Sequence, residues 1–243
     1  MCTVLLLSRP GDAWPLLVGA NRDERRDRAF DPPGRWWRDA PGILAGRDRL
    51  GGGSWLGVND DGVFATIVNG PSRLGPLEGK RSRGTLVVDA LRHAGAGDAA
   101  DALRATPAGA YRGFTLIVAD RRGAYAIVND ERTVAVRVLA PGHHLVSPEG
   151  CDVEDAPRYR AAMPALRAAS PPDPGRDDWE AWLALLRVTD ESDPHRGLTI
   201  AGEEFGTVAS ALVGIAADPH APPVLHFAAP GFGAPSLPAK DPA

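Results

Sequence analysis

The chain has 243 residues, 44% of them hydrophobic and 24% charged, enough to bury a sizeable core in one domain. Lys+Arg 27 against Asp+Glu 31 gives a formal net charge of −4, which argues against a nucleic-acid footprint and against a polybasic membrane anchor. The only two cysteines are Cys2 and Cys151, so neither a disulfide framework nor a thiolate metal cage is expected.

Met1-Cys2-Thr3 runs directly into Val4-Leu5-Leu6-Leu7, a first strand over 2–8, with no leader expected before Cys2. Removal of Met1, which a small following side chain permits, leaves Cys2 with both a thiol and a free α-amine. An α-amine titrates near ~7.7–8.0 and a thiol near ~8.5, so one residue then holds a nucleophile and a matched base. Cys2 also reads as a small apolar residue that simply buries. A second strand over 14–21 follows the turn Pro10-Gly11-Asp12 and ends in Asn21-Arg22-Asp23-Glu24. Such a hairpin returns that end beside the start of the first strand. There Asp23 can accept from the Cys2 amine, while Arg22 or Arg25 favours a nearby thiolate. Asn21 and Asp23 share a strand face, whereas Arg25, Arg26, Asp27 and Arg28 read as a solvated cluster.

The proline-bracketed loop 31–42 carries Trp36-Trp37, either the anchor of a long loop or an apolar lip over a site. Gly51-Gly52-Gly53-Ser54 lacks the Lys-Ser/Thr of a phosphate loop and precedes a strand, so it reads as a bend or a close backbone approach. Strands at 54–59 and 63–69 form a hairpin around Asn59-Asp60-Asp61-Gly62. Asn69 closes that run before Gly70-Pro71, where it either starts a turn or donates to a tetrahedral oxyanion. A helix over 83–94 buries Leu86, Val87, Ala90 and Leu91, with Ser82 as N-cap and Arg83 in its first turn, free for a substrate anion or for solvent. A helix at 98–105 follows, then strands at 113–119, 123–129, 132–139 and 144–147. Helices at 157–169 and 177–188 precede a final hairpin of 206–216 and 223–228. The domain spans 1–229, and the Pro-, Gly- and Ala-rich tail 230–243 reads as mobile.

Helices clustered between groups of antiparallel strands predict an α+β fold of two stacked sheets with helices on both outer faces. The histidines have neither His-x-His nor i,i+4 spacing: His143-His144 enters a strand, His195 lies in a polar loop and His220 beside prolines. No metal site is expected from them. No apolar run reaches the ~18–20 residues of a spanning helix. A free thiol used in chemistry suits a reducing cytoplasm.

Met1-Cys2-Thr3 and Asn21-Arg22-Asp23-Glu24 together resemble the NRDE family, also called the transport and Golgi organisation family. Supporting matches are Gly52 to Gly57, Thr66 to Asn69, Ser82-Arg83-Gly84, Gly113-Phe114 with Leu116, and Phe205-Gly206-Thr207. The opening pair with the Asn-Arg-Asp-Glu string is the specific part of this signal. The resemblance implies an N-terminal nucleophile hydrolase-like fold, a four-layer αββα sandwich, and for some members the handling of haem or lipid-derived metabolites. More distantly the pattern is similar to the penicillin V acylase and bile-salt hydrolase group. Those enzymes also begin Met-Cys-Thr, carry Asn-x-Asp after the second strand and end a later strand in Asn. By that resemblance Cys2, Asp23 and Asn69 are the catalytic candidates. The group also uses an Asn and an Arg where this chain has Pro148 and Val208.

Two functions stand side by side. One is a cytosolic cysteine amidohydrolase that requires no cofactor. The other is a non-catalytic carrier of a hydrophobic or anionic small molecule, such as haem or an acyl thioester, in the same cleft. In either, Asn21, Arg22, Arg83, Trp36, Trp37 and Trp55 are the binding candidates, with Arg22 or Arg83 meeting carboxylates.

Overall fold

The first strand explains the layering. β1 (Thr3–Ser8) is buried at every position, which requires cover on both faces. Val4 and Leu6 pack into a core between two sheets, while Leu5 and Leu7 pack into a second core beneath helices. The period of two along a strand thus feeds two different cores from one apolar run.

The computed structural model describes residues 2–70, 77–193 and 196–231. Met1, Pro71, His195 and nearly all of the expected tail therefore lie outside the described residues. After β1 the chain forms β2 (Leu16–Arg25), β3 (Phe30–Gly34), β4 (Ile43–Asp48), β5 (Leu56–Asn59) and β6 (Phe64–Asn69). Helices α1 (Gly84–Ala90) and α2 (Ala96–Leu103) lead into β7 (Phe114–Asp120), β8 (Gly123–Asn129), β9 (Val134–Leu139), β10 (Gly142–Ser147) and β11 (Gly150–Cys151). Helices α3 (Pro157–Ala168) and α4 (Glu180–Leu186) then precede β12 (Phe205–Ile215) and β13 (Val224–Ala228).

One sheet has the order β11-β10-β1-β2-β12-β13 and the other β3-β4-β5-β6-β7-β8-β9, with every named pairing antiparallel. Leu86, Val87 and Leu91 of the α1 region pack with Leu103 of α2 on the outside of the seven-stranded sheet. Met163, Leu166, Trp182 and Leu186 of α3 and α4 cover the outside of the six-stranded sheet. The result is the expected αββα sandwich. No helix among the described residues is long and apolar enough to cross a membrane.

Three strands were not legible. Part of the expected loop 31–42 is β3, whose Pro32 and Pro33 are tolerated because it is the edge of its sheet. A register shift between Asp31 and Gly34 accommodates them. β4 carries too little apolar alternation to announce itself, and β11 is two residues long. α1 begins one residue later than expected: Arg83 occupies the N-cap position without a side-chain cap, and the Ser82 carbonyl, not its hydroxyl, accepts from Thr85. α4 is shorter than expected because Asp177, at φ 55, adopts a left-handed conformation ahead of it.

Candidate active site

Thr3 pairs with Asn21, so the antiparallel register sets Cys2 beside Arg22 at the open end of the β1–β2 pair. Both side chains face the space between the sheets. They line a cavity of about 320 Å³ with Trp55, Asn69, Ser82 and Arg83. Asn69, the last residue of β6, reaches the same wall as the Cys2 thiol, and its amide has no hydrogen bond to another described residue. A Cβ on Gly53 would come within 2.2 Å of the Gly84 carbonyl carbon, so only glycine lets the 51–54 bend close against the start of α1 beside this cavity. The glycine stretch is thus a close backbone approach.

Cys2 is half-buried, and its sulfur lies 4.0 Å from the backbone oxygen of Asp23. Burial pushes the thiol pKa up, against the pull of nearby positive charge that includes Arg22. The resting group is therefore a thiol, and attack needs a base. Asp23 is on the opposite face of β2 from Arg22, beneath the helical layer. The Thr207 hydroxyl donates to its Oδ1 at 2.6 Å, and the same hydroxyl accepts from the Ile200 N–H at 2.9 Å. Burial lifts the Asp23 carboxyl to about 6, with the Thr207 bond and the Arg158 charge opposing the rise. Arg158 of α3 is 2% exposed and donates to the Thr3 hydroxyl at 2.8 Å. Strand alternation therefore sends the thiol into the cavity and the Asp23 carboxylate to the other side of the sheet.

The cavity is electropositive. Among the described residues its wall carries six basic ones, Arg22, Arg28, Lys80, Arg81, Arg83 and Arg112, against two acidic ones, Glu24 and Asp48. Arg22 is 5% exposed and stacks on the rings of Trp55 at 4.5 Å and Phe30 at 5.0 Å. Its Nη2 lies 3.8 Å from carboxylate oxygens of both Glu24 and Asp48, while its buried Nη1 makes no hydrogen bond. Arg83 donates from Nη1 to the Gly113 carbonyl at 2.9 Å. Burial, reinforced by Arg112, pulls the Arg83 guanidinium down to about 10. The buried or largely buried members of this cluster, Arg22, Arg83 and Arg112, favour an anion in the cavity.

Three binding candidates lie elsewhere. The Asn21 amide faces the helical layer and donates to the carbonyls of Leu186 at 2.9 Å and Leu198 at 2.8 Å. Its Oδ1 accepts from Ser210 at 2.6 Å, so its polar atoms tie strands to the α4 region and are spent. Trp36 folds onto Gly34, donates to the Pro32 carbonyl at 3.0 Å and carries Arg47 over its ring at 4.6 Å. Trp37 packs against the core beneath α1 and α2. Neither tryptophan lines the cavity: the β3 strand that sequence periodicity did not disclose carries the chain away from it. Trp55 does line it, its ring resting over Gly46 where a Cβ would approach within 2.3 Å.

The structure also adds residues. Thr207 was legible only as part of a resemblance, and Arg158 had no signal, being one arginine among several on a helix. A register shift between Thr207 and Ala209 leaves Val208 out of the ladder and aims Thr207 at Asp23. Pro148 occupies the tight β10–β11 turn, where Ser147 donates to Glu149 at 2.6 Å.

The sequence model of the family described as Transport and Golgi organisation 2 matches residues 1–195. No curated protein matches the chain in sequence. Among solved structures, an N-acylethanolamine-hydrolyzing acid amidase ortholog of Caenorhabditis elegans superposes with a TM-score of 0.57 at 16% identity, covering 91% of this chain and 94% of its own. Penicillin V acylase from Agrobacterium tumefaciens superposes with a TM-score of 0.55 at 11% identity, covering 94% of this chain and 86% of its own. At such identities the likeness is one of fold.

Proposed function

The chain belongs to the transport and Golgi organisation 2 family, and we propose that it is a cytosolic cysteine amidohydrolase of the N-terminal nucleophile type, acting on an anionic acyl amide. The observation that carries this reading is the cavity lined by both the Cys2 thiol and the uncommitted Asn69 amide, with the Cys2 sulfur 4.0 Å from the Asp23 backbone oxygen. The fold shared with an acid amidase and a penicillin V acylase supports it.

Once Met1 is removed, the Cys2 amine takes the thiol proton as sulfur attacks the substrate carbonyl. Asp23 orients that amine. The Asn69 N–H groups meet the tetrahedral oxyanion, where a well-aimed donor is worth about 3–4 kcal/mol. The amine then protonates the departing nitrogen, leaving a thioester on Cys2, and water hydrolyses it to release the acid and restore the thiol. Arg22 and Arg83 hold the substrate's anionic group away from the reacting carbon.

The electropositive wall, with the unused Nη1 of Arg22, also favours a second reading: a carrier that holds haem or another anionic, hydrophobic metabolite without cleaving it. Intact mass of the purified protein and a screen of acyl amides with wild type and Cys2→Ala separate the two. The hydrolase needs Met1 absent and turnover abolished in Cys2→Ala with ligand affinity kept. Retained Met1, or cleavage that survives Cys2→Ala, rules the mechanism out.

A further inference from the structure

Outside the cavity, one cluster of chemically capable side chains has no part in this function. The histidines promised no ligand set by spacing, yet the β10–β11 turn brings His144 against Cys151 and Asp152. Their ligand atoms, a ring nitrogen, the sulfur and a carboxylate oxygen, all lie within 4.8 Å of one another. His144 Nδ1 is 2.7 Å from Asp152 Oδ2, and Cys151 Sγ is 3.5 Å from the same oxygen.

Neighbouring residues in a strand point to opposite faces, so Cys151 and Asp152 need a break in the backbone to face one point. That break is present: Asp152 sits at φ 57, a left-handed conformation uncommon outside Gly and the few side chains, Asn and Asp among them, that tolerate it. Two further bonds hold it there, Asp152 N–H to the Leu145 carbonyl at 2.9 Å and Leu145 N–H to Asp152 Oδ1 at 3.0 Å. The second bond occupies Oδ1 and leaves Oδ2 to the cluster. On the other side of the imidazole, Nε2 lies 2.8 Å from the Ala140 carbonyl. An N–H at Nε2 leaves the Nδ1 lone pair facing Cys151 and Asp152, the outer-shell arrangement that orients a metal-binding histidine. His144 and Cys151 are buried, and Asp152 leaves an opening with 23% of its side chain exposed.

We propose that His144, Cys151 and Asp152 form a binding site for one divalent transition-metal ion of the zinc type, at the β10–β11 edge of the six-stranded sheet. Nitrogen, thiolate and carboxylate are the mixed donors such an ion takes, and ligand atoms around a tetrahedral zinc stand roughly 3.3–3.8 Å apart. The 3.5 Å between Cys151 Sγ and Asp152 Oδ2 already falls in that range, while the 2.7 Å His144–Asp152 contact opens as the ion enters. The ion displaces the thiol proton and any proton on Nδ1. When the imidazole starts charged, two protons leave for two positive charges gained. The local charge is then unchanged, so Arg137, which donates to the Cys151 carbonyl at 3.0 Å, does not oppose binding. Three protein ligands leave a fourth position for water, and the ion clips a two-residue edge strand to its neighbour.

Cobalt titration of chelator-treated protein tests this, because cobalt bound to a thiolate gives a ligand-to-metal absorption band. Cys2→Ala serves as the background, removing the only other thiol. One equivalent of cobalt should produce the band there, and one equivalent of zinc should raise Tm by at least about 4 °C. Both responses should vanish in Cys2→Ala with Cys151→Ser. Asp152→Asn should weaken cobalt affinity more than tenfold while the band stays thiolate-like, which keeps a readout should the serine variant fold poorly. No band in the Cys2→Ala protein, a band that survives Cys151→Ser, or unchanged affinity in Asp152→Asn overturns the site and leaves a His144–Asp152 ion pair beside a buried thiol. Because Cys2 is absent throughout, the result is independent of the hydrolase reading.

Discussion

The Thr207 hydroxyl donates a 2.6 Å hydrogen bond to Oδ1 of Asp23, joining residues 184 apart in sequence. They face each other across β2 and β12, just before the irregularity that skips Val208. This bond favours the carboxylate, yet burial outweighs it and lifts the group from 3.8 to about 6.

The direction of that shift sets a pH dependence. The folded protein holds the Asp23 proton more tightly than the unfolded chain does, so the group's relative contribution to stability is greatest below about 4 and falls as pH rises through about 6. Asp23→Asn keeps an oxygen for Thr207 and cannot ionise. Wild type should therefore lose about 2 kcal/mol relative to the variant between pH 4 and pH 7, most of what a shift of roughly two units at 1.36 kcal/mol each supplies. Urea unfolding at the two pH values measures it. Parallel changes in the two proteins would show that Asp23 titrates as an ordinary carboxyl.

The two thiols should differ in reactivity. Cys151 is buried, and burial followed by the Asp152 charge pushes its thiol up to about 12. Cys2 opens on the cavity, where Arg22 pulls against the effect of burial. Timed iodoacetamide labelling at pH 8 should alkylate Cys2 at least about tenfold faster, since the reagent reaches it through the cavity while Cys151 is buried beside a carboxylate. Equal rates, read by peptide mass mapping, would count against Cys2 as nucleophile.

Asn21 should behave as a structural residue. Asn21→Ala strips partners from the Leu186 and Leu198 carbonyls and from the Ser210 hydroxyl, all in buried surroundings. The expected cost is about 2–4 kcal/mol of unfolding free energy, on the scale of orphaning several buried polar groups. A variant of unchanged stability whose defect is confined to ligand binding would restore Asn21 to the cleft.

Ligand affinity should track Trp55 and Arg22 and ignore Trp36. In haem titrations, Trp55→Ala should weaken binding by about 1–3 kcal/mol, the scale of losing buried aromatic contact, while Trp36→Ala leaves it unchanged. Arg22→Gln should cost an anionic ligand about tenfold or more and spare a neutral analogue, because only the anion uses the buried guanidinium. An equal loss for both ligands would make Arg22 a packing residue of the Trp55–Phe30 stack.

The sequence by itself determined the layers and the end of the sheet at which to look. Apolar runs such as Val4–Leu7 and Val63–Val68, separated by Asp/Asn/Gly turns, specify two-sided burial through local periodicity alone. Cys2 and Asn69 could be placed at a strand mouth because each sits at the limit of such a run. What only the tertiary structure decided depends on register and on contacts between distant segments. The skipped Val208, the reach of Arg158 from α3 to Thr3, and the convergence of Arg28, Lys80, Arg81 and Arg112 on one cavity have no local signature. Strand alternation also separated two neighbours in the chain: Arg22 turns inward to the cavity and Asp23 outward to Thr207. The sequence leaves Trp36 and Trp37 open between loop anchor and cavity lip for a related reason, and the fold makes them anchors. β3 forms because β4 offers it hydrogen-bond partners, and a strand held by pairing rather than by its own apolar pattern is invisible until the sheet is assembled.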